Sequence, residues 1–134
     1  GRMVETDNIN DMYKFKTPAL RNVSLTAPYG HNGAYPTLKS IIKHHLNPIK
    51  MNKNWKPEYA NLPKAPWLEE IDFVTFSDKR EQDRILSSID IQPIELNDKE
   101  IDQLVSFLES LTGRSGNQRP LGKPDKVPSG LSID

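Results

Sequence analysis

Residues 31–48, HNGAYPTLKSIIKHHLNP, contain a helix with both ends written into the sequence. Thr37, directly after Pro36, supplies a hydroxyl suited to an N-cap. Pro48 disfavours helical geometry at Asn47, so the helix is expected to stop there after about three turns. With Leu38 at zero and about 100° per residue, Ile41 falls near about 300°, Ile42 near about 40° and His45 near about 340°. His45 is therefore expected in the middle of the buried stripe. His44, near about 240°, is expected at its edge or outside. A buried imidazole must satisfy both ring nitrogens, either by hydrogen bonds or by coordinating a metal. The spacing leaves both readings open, the hydrogen-bonded core histidine being the commoner case. A zinc site built from His31, His44 and His45 is disfavoured, because adjacent helical residues point about 100° apart and no carboxylate stands at matching spacing.

Outward from this helix the chain is irregular on both sides. Residues 1–16 are polar, and KFKTPALRNVSLTAPYGHNG, residues 14–33, has prolines and glycines at close intervals. That pattern predicts an ordered loop with at most one short turn, around residues 18–23. Residues 49–77 mix prolines with Trp55, Tyr59, Trp67, Phe73 and Phe76. They read as an irregular excursion pinned by aromatics, with Trp55 and Trp67 as anchors and a short helical turn at 67–71. Ser77 or Asp78 is placed to cap a second helix running to about Ser88 and carrying Ile85, Leu86 and Ile89. The strongest helix follows: Asn97 and Glu100 have the spacing of a reciprocal cap. Ile101, Leu104, Val105, Leu108 and Leu111 form one stripe, and Gly113 marks its end. The tail at 114–134, RSGNQRPLGKPDKVPSGLSID, reads as extended, either disordered or laid across a larger body.

Composition narrows the function classes. The 134 residues suit one domain, and 18 basic residues balance 18 acidic ones, so there is no basic footprint for nucleic acid. Apolar content is 35% and there are 11 prolines, which predicts a few helices joined by long connections. There is no cysteine, which excludes a disulfide, a thiolate zinc site, a thiol nucleophile and a c-type haem attachment motif within this chain. No stretch of about 18 apolar residues is present to span a membrane. The opening, GRMVETDNIN, lacks an apolar signal core and reads like the interior of a longer protein. P-loop, dinucleotide-binding, nucleophile-elbow and zinc-protease motifs are absent from the sequence. Glu69, Glu70 and the run SDKREQDR read as solvated surface.

Longer phrases carry more information. FKTPALRNVSLTAPYGHNGAYPTLKSIIKHHLNP, residues 15–48, resembles the segment that follows the second haem motif in bacterial di-haem cytochrome c peroxidases and their MauG-type relatives. SSIDIQPIELNDKEIDQLVSFLESLTG, residues 87–113, is similar to that family's last helix and its lead-in, and VPSGLSID to its closing segment. The resemblance covers roughly residues 12–48 and 85–134. It implies a mainly α fold: a partial C-terminal cytochrome c-like helical domain with long irregular loops over residues 1–113, then an extended tail over 114–134. In that family one haem reacts with hydrogen peroxide, and a second accepts electrons from a small donor protein, a cytochrome c or a cupredoxin. The second haem's distal ligand stands eight residues after the Thr of Thr-Leu and is Met in peroxidases and Tyr in MauG-type proteins. Here that position is His45. A His/His haem sits at lower potential than a His/Met one.

The resemblance also implies haem surroundings at Arg21 and His31, and a calcium ion held between two domains partly by the backbone carbonyls of Thr26 and Pro28. Two carbonyls supply only part of the six to eight oxygens calcium takes. Asn32 replaces the family's usual Asp. The implied partners are an N-terminal haem domain, the electron donor and a second copy in a homodimer, with a periplasmic location. The chain alone is expected to be inactive, and Ile101, Leu104, Val105 and Leu108 to expose a stripe unless something covers them. The rival expectation is a haem-free helical module that docks on a partner through its apolar stripes.

Overall fold

A computed structural model of the chain describes residues 1–62 and 65–113. Among the described residues the regular structure is helical. It comprises α1 (Arg2–Thr6), α2 (Leu38–Leu46), α3 (Pro48–Asn54), α4 (Val74–Ser77), α5 (Lys79–Ser87) and α6 (Asp98–Ser110), with 3-10 turns between several of them. One isolated antiparallel bridge joins Tyr29 to Tyr35. The mainly α class is what the structure has; the expected course of the tail lies outside the described residues.

The N-caps explain why the principal helices start where they do. Thr37 accepts the Ser40 N–H at 3.1 Å, and the Ser40 hydroxyl returns to the Thr37 N–H at 3.2 Å, closing a capping box on α2. Asn97 and Glu100 make the same reciprocal pair on α6, at 3.0 and 2.8 Å. The Asp78 carboxylate accepts from Arg80 and Glu81 at the head of α5. Each such cap is worth about 1 kcal/mol.

Residues 48–54 and Trp67 depart from expectation, and the N-terminus adds a helix. Residues 48–54 are helical and not the start of an irregular excursion. Asn47 ends α2 and caps α3, accepting the Lys50 N–H at 3.0 Å, while Pro48 occupies the first helical position, where its missing N–H costs nothing. The same proline that stops one helix starts the next. The polar N-terminus holds α1 and a 3-10 turn at Ile9–Asp11, tied together by Thr6 Oγ1 donating to Asp11 at 2.7 Å and by the Arg2 N–H bonding the Lys14 carbonyl at 2.8 Å. Trp67 is no anchor: it is 79% exposed. Trp55 is one, meeting Phe73 and Phe76 with ring centroids 6.1 and 5.2 Å away.

The core is small and sits between α2, α6 and the loop that precedes α2. Among the described residues Tyr29, Tyr35, Leu38, Ile42 and Ile101 are buried, and Val23, Ile41, Met51, Trp55, Val105 and Leu108 pack partly buried against the cluster of Tyr29, Tyr35 and Leu38. α6 lies on α2 and on the turn Val23–Leu25. Ile101 is therefore 4% exposed: α2 supplies part of the cover that the apolar stripe of α6 needs. Leu104 at 37% and Phe107 at 55% remain at the surface. Hydrogen bonds close the far end: Gly113 N–H donates to Asn22 Oδ1 at 2.8 Å, and the Asn22 N–H bonds the Leu111 carbonyl at 3.2 Å.

Trp55 also donates its indole N–H to the Ala34 carbonyl at 2.8 Å, joining α3's end to the loop before α2. Trp55→Phe should lower stability by about 1 kcal/mol or somewhat more, because a part-buried carbonyl loses its donor while most of the ring packing survives. A urea midpoint equal to that of the unchanged protein would show that this tie carries no weight.

Candidate functional site

The segment before α2 is a tight loop folded back on itself. The Tyr29 N–H donates to the Tyr35 carbonyl at 2.7 Å and the Tyr35 N–H returns to the Tyr29 carbonyl at 3.0 Å, so residues 30–34 form a closed turn. Asn32 and Gly33 both take positive φ, 55° and 67°, which Asn tolerates and Gly adopts freely. A Cβ on Gly33 would meet Pro28 Cγ at 2.9 Å and the Asn61 carbonyl at 3.2 Å, so glycine is demanded twice there. Asn32 serves this turn through its backbone, a role that Asp in the same place would fill equally well. The Tyr29 hydroxyl donates to the Val23 carbonyl at 2.9 Å and fastens the loop to the turn beneath it.

This closed turn fixes Tyr35, 7% exposed, under the last turn of α2. Its hydroxyl lies 2.9 Å from His44 Nδ1 and the two rings stack tilted with centroids 5.0 Å apart. Burial raises the pKa of the Tyr35 hydroxyl, which therefore keeps its proton. His44 is half-buried and His45 is exposed, with their rings edge-on at 5.7 Å. The wheel expected the reverse. It ordered residues by angle about the axis and took no account of where along the axis covering elements stand. Leu38 and Ile42 are buried, but His45 in the final turn is exposed, while Tyr35 reaches His44 from the side. No hydrogen bond of the His45 ring is present among the described residues.

Burial, and secondarily the neighbouring His45, hold the His44 pKa below its ordinary 6.5. The folded chain therefore resists taking up this proton, whereas the unfolded chain accepts it as pH falls through about 6.5. Stability present above that pH is lost on acidification. Thermal melting should come at lower temperature near about pH 5.5 than near about pH 7.5. His44→Asn should shrink that difference, and a variant with the full difference would assign the effect to other groups.

The remaining sequence candidates lie apart from this pair. His31 is exposed and its ring packs on Phe15, centroids 4.9 Å apart. Arg21 is exposed. No hydrogen bond, ion pair or ring contact joins either to His45 among the described residues. Thr26 precedes and Pro28 forms part of the cis Ala27–Pro28 peptide on an exposed loop, and neither residue's carbonyl accepts a hydrogen bond among the described residues. No group of three or more His, Cys, Asp or Glu side chains among them is arranged to hold a metal ion. An open cleft of about 650 Å³ lies beside Tyr35, lined by Pro36, Met51, Trp55, Glu58 and Tyr59 among others. It offers one carboxylate and no histidine, so it holds no metal-ligand set. Sequence reasoning missed Tyr35 as a site residue, because its partner stands nine residues away and meets it only when the turn closes.

Comparison with known proteins is informative at this point. The chain is 38% identical to the methylamine utilization protein MauG of Paracoccus denitrificans over 106 residues, 75% of this chain and 23% of that protein. Its homologues are MauG and cytochrome c peroxidases, each matched over part of this chain. The cytochrome c peroxidase Ccp of Escherichia coli is 51% identical over 43 residues, 32% of this chain and 9% of the relative. The cytochrome c551 peroxidase of Nitrosomonas europaea is 38% identical over 58 residues, 43% of this chain and 17% of the relative. The chain thus spans less than a quarter of the length of these relatives. No family model and no solved structure matches it. No helix among the described residues is long and apolar enough to cross a membrane.

Proposed function

We propose that this chain is part of a di-haem peroxidase-family oxidoreductase and supplies the distal side of its electron-transfer haem, with His45 as the axial ligand. The observation that carries this reading is the position and state of His45. It stands eight residues after Thr37, on the final turn of α2, exposed and with its ring unbonded among the described residues, while the adjacent His44 is engaged by Tyr35. One imidazole fits one axial position. The chain has no cysteine to attach the porphyrin, so the attachment residues and proximal histidine belong to another part of the protein. When bound, the haem supplies one-electron chemistry. The residues of this chain contribute the ligand, its orientation and the apolar packing behind it.

In the complete protein the activity is reduction of hydrogen peroxide with electrons from a small redox protein, a cytochrome c or a cupredoxin, in the periplasm. The segment alone is inactive. The carbonyls of Thr26 and Pro28, which accept no hydrogen bond among the described residues, suit a hard cation such as calcium, with the remaining oxygens coming from water and the other domain. Arg21 and His31, both on the surface, are available to the haem domain. The decisive test is the coding sequence preceding Gly1 together with a pyridine-haemochrome spectrum of protein expressed with it. A Cys-x-x-Cys-His motif upstream and a c-type spectrum are expected; an upstream region without that motif sinks the proposal.

The capping boxes of α2 and α6 and the covering of Ile101 are made by this chain's own residues, which favours a second reading, a helical interaction module that binds no haem. Sedimentation and circular dichroism of this chain discriminate. A cooperatively melting helical monomer supports the module, and self-associating or partly helical material supports the haem-dependent reading.

A further inference from the structure

Two adjacent histidines end α2, and only one of them faces outward. The difference is made by Tyr35. Its backbone is pinned on both sides by the bridge to Tyr29, and the neighbouring Ala34 carbonyl is held by the Trp55 indole, so the phenol has little freedom to follow α2 if the helix turns. Gly30, at φ 77°, lets the Tyr35 ring close in: a Cβ there would stand 3.1 Å from Tyr35 Cδ2. The only partner of the Tyr35 hydroxyl among the described residues is His44 Nδ1. Tyr35 is buried and its hydroxyl has His44 Nδ1 as its one acceptor among the described residues, so we take the phenol as donor and His44 Nδ1 as acceptor, with the His44 proton on Nε2. A ring in that state offers no lone pair to a metal: Nδ1 is taken and Nε2 is protonated.

We propose that the Tyr35–His44 hydrogen bond is a positioning device that decides which of two neighbouring imidazoles coordinates, by engaging His44 with the protein and leaving His45 free to face outward. Tyr35 and His44 are positioning residues in this scheme. It rests on the reading of His45 as the axial ligand, and it adds the reason why a second histidine one residue away does not compete. Removing the phenolic hydroxyl frees both nitrogens of His44 and loosens the last turn of α2, so that either ring can present itself.

The first test needs no haem. In the 15N-labelled chain near neutral pH, long-range 1H–15N spectra should show His44 as a single Nε2–H tautomer, and diethyl pyrocarbonate should acylate His45 several-fold faster than His44. Tyr35→Phe should give His44 a mixture of tautomers and bring its acylation rate up to that of His45. A mixed or Nδ1–H His44 in the unchanged chain overturns the proposal, as does a His44 indifferent to Tyr35→Phe; the first of these is read even if the variant fails to fold. The second test uses protein expressed with its haem-bearing region. Electron paramagnetic resonance should show one low-spin ferric species at this haem, two in Tyr35→Phe, and one again in Tyr35→Phe combined with His44→Asn, which has no imidazole to compete. Heterogeneity that persists in the double variant would mean loosening without competition and would overturn the scheme. His45→Ala leaving the spectrum unchanged would instead defeat the ligand assignment, so the two failures are distinct.

Discussion

With His45 as the proposed axial ligand, His45→Met in protein expressed with its haem-bearing region should raise the midpoint potential of one haem on the order of 0.1 V or more and change its ferric spectrum, while His44→Asn should do neither. The direction follows from ligand chemistry. Imidazole donates more strongly to ferric iron than a thioether does, so exchanging the nitrogen for sulfur stabilises the reduced state. The contrast between neighbours follows from the structure. His45 is exposed at the end of α2, and His44 Nδ1 is 2.9 Å from the Tyr35 hydroxyl. Asn at 44 keeps an acceptor near the place of Nδ1, so the phenol stays satisfied and the turn stays put. The measurement is a redox titration followed at the haem bands. Equal shifts in both variants would point to a general disturbance of the helix, and a shift in His44→Asn alone would move the assignment to the other ring.

Leu38→Ala should destabilise the chain by about 3 kcal/mol, lowering its melting temperature by roughly 10 °C or more, whereas Leu104→Ala should cost about 1 kcal/mol or less. Leu38 is buried and belongs, with Tyr29 and Tyr35, to the cluster against which Val105 and Leu108 of α6 pack. With so few buried side chains, no neighbouring core can collapse to fill the space left by an isobutyl group. Leu104 is 37% exposed and loses little by truncation. Because a domain of this size has a total stability of about 5–15 kcal/mol, the first change takes a large share of it. Urea or thermal unfolding followed by circular dichroism separates the two; similar losses would mean that α6 holds the fold through its outer face.

The helices that carry their own caps were legible in the sequence. Thr37 with Ser40, Asp78, and Asn97 with Glu100 satisfy the first N–H groups from within three residues, so local pattern suffices to place those starts. α3 was not legible as a helix, because Pro48 reads as a terminator and only the Asn47 side chain turning to Lys50 makes it a beginning. The anchoring role divided similarly. Nothing local distinguishes Trp55 from Trp67, and the difference is made by Phe73 and Phe76 meeting one of them.

The sequence by itself determined where α2 starts and stops, that His45 stands eight residues after its cap, and that no cysteine in the chain can bind a haem covalently. Those are matters of spacing and residue type, which do not depend on what else the chain touches. Only the tertiary structure decided which histidine faces the protein. The angle of a residue about its helix is local, but burial also depends on what lies beside each turn. At the last turn of α2 that is a tyrosine carried in by a loop closed through Asn32 and Gly33, and it lies over His44, leaving His45 open.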